Sequence, residues 1–313
     1  MSSEGLRVST RRGPTPRTRR RRRAFYTFIS PWLIGFVCLT LLPMIAGFLI
    51  SLTDYDGLNP FNLDFVGLRN YATAFNDPNI RHASGRTLVW TLLNLPSWLF
   101  LSFLLAILAN QRLKGIGIFR TLFYIPSVIP AVGLVWTWKI ILEQNYGLLN
   151  GFLSLFRPGT AIGWLGAEAM YGVTAMAVWS GLGAGMIIFL AGLQGIPDEL
   201  IEAARIDGAN SFRVFWHVTL PMMTPVLFFQ LVMGLISAFQ MFIIPWLATT
   251  SAAVGVPPRG IYLYMVNIYR QIFGVGRFGY GMAVLWLLII VIMALTLLVF
   301  RTQRYWVYSE VEE

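Results

Sequence analysis

Six stretches of the chain lack Asp, Glu, Lys and Arg: residues 25–53, 87–111, 121–138, 169–197, 214–258 and 278–300. Crossing ~30 Å of hydrocarbon takes about 20 helical residues, so each stretch is of spanning size. The fifth is too long for one span. His217 and Pro221 precede its apolar part and Pro257 and Pro258 follow it, which places that helix at 222–247. The pattern predicts an all-α integral membrane protein with six transmembrane helices. A basic tail over 1–24 would precede the helical body at 25–304, and a short tail over 305–313 would follow it. Pro43, Pro96, Pro126 and Pro130 fall inside the predicted spans. Such breaks survive in a bilayer where neighbours or cavity water satisfy the freed carbonyls. Ordinary kinked packing and helices that line a path both account for them.

Composition supports this reading. The chain of 313 residues is 56% hydrophobic and 12% charged, too little charge to cover a soluble domain of that length. Its net charge of +10 suggests nucleic acid, but location argues otherwise. Nine arginines, Arg7, Arg11, Arg12, Arg17 and Arg19 to Arg23, lie ahead of the first apolar stretch. A basic run there marks the cytoplasmic side of a membrane and is suited to anionic lipid. No aromatic platform for nucleic acid accompanies it. Arg112, Lys114, Arg120, Arg205, Arg213, Arg301 and Arg304 fall on the same side as the nine, which predicts that both termini are cytoplasmic. The first stretch is far longer than the 7–15-residue core of a signal peptide and reads as a span.

Several chemistries lack their residues. No ionisable side chain sits near the centre of a predicted span, which weakens an ion-coupled secondary transporter. Cys38 is the single cysteine, and the two histidines, His82 and His217, fall on opposite predicted sides, so neither a metal site nor a catalytic constellation of a membrane enzyme emerges. Lys114 and Lys139 follow Leu113 and Trp138, so no phosphate-binding P-loop exists; ATP, if it drives the protein, binds another polypeptide. A non-transporting membrane scaffold is the remaining rival, separated by whether an ATPase co-purifies.

The loop over 195–221 reads GIPDELIEAARIDGANSFRVFWHVTLP. Pro197 suits a first helical turn, and Asp198 and Glu199 suit its positive end. Leu200, Ala203 and Ala204 predict one apolar face. Gly208 suits a left-handed cap, Asn210 or Ser211 an N-cap of a second helix, and Phe212, Phe215 and Trp216 fall on one side of that helix. Pro221 is expected to stop it ahead of the fifth span. Such a helix–turn–helix with exposed apolar and acidic groups suits a partner surface or the headgroup layer.

Glu202-Ala203-Ala204, Asp207-Gly208-Ala209 and Leu220-Pro221 resemble the EAA loop of permease subunits of ATP-binding-cassette (ABC) importers. Phe65 to Tyr71 is similar to the FxGLxNY segment of the sugar-type group, which includes maltose, multiple-sugar and glycerol-phosphate permeases. Residues 120–136, RTLFYIPSVIPAVGLVW, resemble its third span, Phe239-Gln240-Met241-Phe242 its SFQxF segment and Trp306-Val307-Tyr308 its C-terminal end. Ile243 stands where many relatives carry Asp, and residues 251–258 replace a Gly-Gly-Gly-Pro turn.

The resemblance implies a six-helix inner-membrane permease with no cofactor of its own, ATP and Mg being bound by the partner ATPase. It further implies a second permease of similar fold, two ATPase subunits and an extracytoplasmic solute-binding protein that delivers a sugar or polyol. Glu202, Ala203, Ala204, Asp207 and Gly208 would couple to the ATPase. A neutral polyol asks for aromatic, hydroxyl and amide partners, which makes Trp179, Gly181, Ser237 and Gln240 candidates for the substrate path.

Overall fold

The computed structural model describes residues 16–58, 63–111, 113–249 and 257–308. Arg7, Arg11, Arg12, Arg112, residues 251–256 and the chain beyond Tyr308 lie outside the described residues. Among the described residues, five helices are long and apolar enough to cross a membrane, and a bent helix pair, taken as one span, makes a sixth. Among the described residues the one strand-like feature is a single antiparallel bridge, Thr53 to Phe65.

The chain divides into two units, residues 1–50 and 51–313. The first holds α1 (Pro16–Phe36), a wide π turn (Val37–Leu41) and α2 (Leu42–Ser51). The turn has a cause in sequence. Pro43 stands two residues past it, and in a regular α-helix the proline ring would meet the Leu39 carbonyl. The Leu42 amide instead reaches back five residues to the Val37 carbonyl, and the widened turn makes room. Phe28, Trp32, Leu39 and Leu49 on this helix are exposed, as befits a lipid-crossing segment.

The second unit begins with α3 (Arg69–Asn76) and α4 (Pro78–Ala109), capped where the Asp77 carboxylate accepts from the Asn79 amide at 2.8 Å. The expected third span is not one helix. α5 (Ile116–Val128) and α6 (Ala131–Ile141) meet at a bend of 100°. Ile129 precedes Pro130, is barred from helical ψ, and extends to φ −68°, ψ 127°.

After α7 (Leu148–Ser154), α8 (Ala169–Gln194) runs through the middle of the unit, against α4, α5 and later α11. It admits α5 at backbone distance because residue 183 is glycine. A Cβ there would lie 2.6 Å from Tyr124 Cα and collide with the Phe123 carbonyl oxygen. Lipid tails are as apolar as leucine, so close packing of this kind, rather than escape from water, holds spans together.

The loop after α8 folds as α9 (Asp198–Ile206) and α10 (Ser211–Val214). Pro221 does not stop the second helix. A π turn over Phe215–Thr219 absorbs the proline as at Pro43, with the Leu220 amide bonding the Phe215 carbonyl. The helix continues into α11 (Leu220–Phe239), so one apolar segment runs from Ser211 to Phe239. The span therefore starts earlier than expected and ends at 239, not 247. Pro245 bars continuation, since its ring would meet the Met241 carbonyl; it sits instead in the first turn of α12 (Ile243–Thr249). Last come α13 (Tyr264–Tyr269) and α14 (Phe278–Trp306).

Three clusters of buried side chains knit this unit. One joins α4, α6, α8, α12 and α13 around Trp90, Val135, Met176 and Val266. A second joins α3, α13 and α14 around Ile268, Tyr280 and Val284. The third joins the ends of α4 and α8 to the start of α11 around Phe189 and Met223, with Ile201 of α9 packed on it.

Candidate functional site

Local backbone chemistry closes the loop between α8 and α11. Asp198 and Glu199 occupy the first turn of α9 and Arg205 its last, matching the helix dipole. The chain reverses at Gly208, with φ +82°. The Ala209 amide bonds the Ala204 carbonyl at 2.9 Å and the Gly208 amide the Arg205 carbonyl at 3.0 Å, the paired bonds of a Schellman cap. Asn210, rather than Ser211, caps the next helix, its Oδ1 accepting from the Arg213 amide at 2.9 Å. Phe215 then packs 6.2 Å from Phe103 of α4 and 5.6 Å from Trp216, which also meets Phe212.

The expected apolar face of α9 divides. Ile201 and Ala204 turn toward the body, while Leu200 and Ala203 stay exposed, joined by Ile206 and Phe212. The reason lies in the third cluster: Ile201, not Leu200, meets the apolar ends of α4, α8 and α11. Asp207 and Gly208 are exposed as well. Glu202 borders a cleft of about 920 Å³ between α9 and the α4–α5 turn, together with Glu199, Arg205, Gln111 and Arg120. Arg120 is committed there, its Nε and NH2 donating to the Ala109 carbonyl at 3.1 and 2.8 Å and closing the end of α4. The coupling candidates thus part company: Ala203 and Asp207 face outward, Ala204 lies half-buried, and Glu202 sits on the rim of the cleft.

The four path candidates form no single cluster. Trp179 packs edge-on against Trp138 of α6 at 5.7 Å. The Gly181 carbonyl accepts from Trp98 Nε1 of α4 at 2.9 Å. Ser237 lies on an exposed stripe of α11 that also carries Phe229 and Met233, and Gln240, the residue that ends the helix, is exposed as well. The structure adds residues that the sequence reading passed over. Gln230, 2% exposed, reaches the Gly185 carbonyl at 3.4 Å. Ser127 of α5 accepts from the Ala184 amide at 3.1 Å. Two carbonyls one turn apart on α8 therefore hold a side chain from α4 and another from α11. The signals were present: three glycines over 181–185, and one amide in the middle of an apolar stretch.

At the other end, residues 142–168 fold around Asn150. Its Nδ2 donates to the Gln144 and Ile162 carbonyls at 2.8 and 2.9 Å, and its Oδ1 accepts from Trp164 Nε1 at 2.9 Å. The Glu143 carboxylate caps the turn. Hydrogen bonds from the backbone amides of Tyr146 and Asn145 hold its pKa below the ordinary 4.5.

A capped surface loop leads by a continuous helix into a span, and comparison with known proteins shows the class of protein that carries it. Residues 72–307 match the family described as binding-protein-dependent transport system inner membrane component. The chain belongs to that family: it is a multi-pass inner-membrane permease subunit of an ABC importer. It is 36% identical to the probable ABC transporter permease protein YesP of Bacillus subtilis, covering 93% of both chains. It is 30% identical to the trehalose/maltose transport system permease protein MalF of Thermococcus litoralis, covering 90% of this chain and 93% of the other. With the arabinooligosaccharides permease AraP of B. subtilis it shares 33% identity over 87% of this chain and 86% of that one. Among solved structures, a bacterial ABC transporter that imports alginate aligns with a TM-score of 0.77 at 20% identity, over 91% of this chain and 96% of that one, which bears on the fold.

Proposed function

We propose that this subunit forms half of a translocation path for a neutral sugar or sugar-derived polyol, the other half coming from a second permease of similar fold. Relatives named for trehalose/maltose and arabinooligosaccharides support the substrate class, as do uncharged spans with Trp179, Ser237 and Gln240 exposed along them. A solute-binding protein delivers the sugar from outside; the alginate importer has been seen with its sugar-loaded periplasmic protein. Both termini face the cytoplasm. Two ATPase subunits, which carry ATP and Mg, dock against the loop between α8 and α11.

The observation that carries this reading is the loop itself. Leu200, Ala203, Ile206 and Phe212 form an exposed apolar face with Asp207 beside it, and Glu202 lines the adjoining cleft. Closure of the ATPase pair displaces α9. The Schellman cap and the Asn210 cap pass that displacement into the unbroken helix from Ser211 to Phe239, which carries Ser237 at its far end.

Glu202→Lys tests the reading. It is exposed, so insertion and expression should stay close to wild type. Like-charge repulsion at a docked interface costs several kcal/mol, and each ~1.4 kcal/mol is tenfold in affinity. Sugar uptake by the reconstituted importer should be lost, along with sugar-stimulated ATP hydrolysis or ATPase co-purification. Wild-type uptake by this variant would refute the assignment of the loop.

A further inference from the structure

The last turns of α14 carry charge that sugar import does not use. Its apolar run ends at Phe300, and Arg301 and Arg304 follow a turn apart, both exposed. This end of α14 is fixed to the start of α11. Phe228 meets Phe300 edge-on at 5.0 Å and Trp306 at 5.9 Å, and the Tyr308 amide donates to Thr224 Oγ1 at 2.8 Å. Thr224 is one turn past Pro221, so the paired arginines lie at the coupling-loop end of the second unit.

Between the two helices is a cavity of about 520 Å³ lined by Pro225, Phe300, Arg301, Gln303, Arg304, Val307 and Tyr308. Its chemistry is two-sided. Pro225, Phe300 and Val307 are apolar, while two guanidinium groups and an amide stand at the rim. Arg304 is held over the Tyr305 ring, 4.6 Å from its centroid. No carboxylate lines the cavity among the described residues.

We propose that this cavity binds an anionic phospholipid from the leaflet on the coupling-loop side. Arg301 and Arg304 hold the phosphate, and Phe300, Pro225 and Val307 receive the first part of an acyl chain. Guanidinium forks match phosphate oxygens in geometry as well as charge. The arginines begin where the apolar run stops, which is headgroup depth for a spanning helix. A free phosphate would leave the apolar floor uncovered, and this selects a lipid. A bound lipid would brace α14 against α11 directly beside the loop that takes up the ATPase stroke. The site is separate from the N-terminal arginines. It rests on α14 crossing the membrane, and neither the sugar nor the ATPase enters the argument.

Native mass spectrometry of the full chain in detergent, titrated with phosphatidylglycerol and phosphatidylcholine, tests it. Wild type should retain phosphatidylglycerol preferentially. At ~1 kcal/mol per basic residue near the surface, Arg301→Gln/Arg304→Gln should weaken retention about thirtyfold, with about tenfold per 1.4 kcal/mol. Arg301→Lys/Arg304→Lys, which keeps the charge, should lose only a small part of it. Millimolar inorganic phosphate should not displace the lipid. The N-terminal arginines are common to every variant and set an equal background. If the double glutamine variant expresses poorly, the two single variants carry the test, each with a smaller loss. Equal retention by wild type and glutamine variants overturns the proposal. So does displacement by inorganic phosphate, which would make this a simple anion site. Loss of co-purifying ATPase with lipid retention intact would likewise overturn it and assign the surface to protein.

Discussion

The loop over 195–221 and the segment over 142–168 both leave large apolar side chains in the open, yet they are built by opposite means. The first exposes Leu200, Ile206, Phe212 and Trp216, the second Tyr146, Leu148, Phe152 and Phe156. The first is closed by backbone: a Schellman cap at Gly208, a side-chain cap at Asn210, and a helix that continues through a π turn into a span. The second is gathered around one buried side chain, Asn150, bonded to the Gln144 and Ile162 carbonyls and the Trp164 indole, with the Glu143 carboxylate capping its first turn. A loop whose bonds run along the chain into a helix transmits force as a lever. A loop folded around one side chain holds a shape without passing displacement on. Under the proposed docking of the ATPase subunits, the first is the moving part and the second the fixed one.

The largest expected effect breaks the lever. Gly208 has φ +82°, and a β-branched residue held in such a sparsely populated conformation costs roughly 1–3 kcal/mol. Gly208→Val should reduce uptake by the reconstituted importer about tenfold or more, while hydrogen exchange over 142–168 stays at wild-type rates. Slowed exchange or full uptake would show that the cap does not carry the stroke.

Asn150→Ala should do the reverse. It strands the half-buried Trp164 indole N–H, at about 1–3 kcal/mol for a buried group left without a partner, while the Ile162 carbonyl keeps the Trp164 amide and the Gln144 carbonyl belongs to an exposed residue. Amide protection between 144 and 164 should fall about tenfold or more, with ATPase co-purification unchanged. A joint loss of co-purification would mean that the two ends are mechanically coupled.

Asn210→Ala removes one cap, worth ~1 kcal/mol. Exchange at the Arg213 amide should rise about fivefold, and uptake should fall by less than with Gly208→Val, because the Schellman bonds remain. An effect as large as that of Gly208→Val would place the hinge at 210 instead.

The smallest effect is one of pH. The folded Glu143 carboxyl titrates below its ordinary 4.5 because amides of Tyr146 and Asn145 bond its charged form. The stabilisation is therefore present above pH 4.5 and is lost as pH falls through the lowered folded value. Amides 145 and 146, corrected for intrinsic rates, should lose protection in that acid window, and Glu143→Gln should abolish the pH dependence. The coupling loop should show no such step from this source.

Much of this was legible in the sequence because it is local. The spans follow from uninterrupted apolar stretches, the start of α9 from Pro197, Asp198 and Glu199, its end from Gly208, and the next cap from the pair Asn210 and Ser211, between which the structure chose Asn210. Each of these concerns a residue and its near neighbours. The prolines show where locality ends. Pro43 reads as a break within a span and Pro221 as a helix stop, yet each is absorbed by a π turn just ahead of it. Pro130 bends the chain by 100°, and Pro245 starts a new helix. A proline removes one amide and crowds one carbonyl wherever it stands. Whether the helix widens, bends or restarts depends on what packs around the freed carbonyl, which the one-dimensional order does not contain. The same holds for faces. The 3.6-residue period names an apolar stripe on α9, but the cluster formed by α4, α8 and α11 takes in Ile201 and leaves Leu200 outside. Sequence determined the number of apolar segments, the cap that ends α9 and the absence of charge within the spans. Tertiary structure decided which side of each element is covered, because burial is set by neighbours distant in the chain.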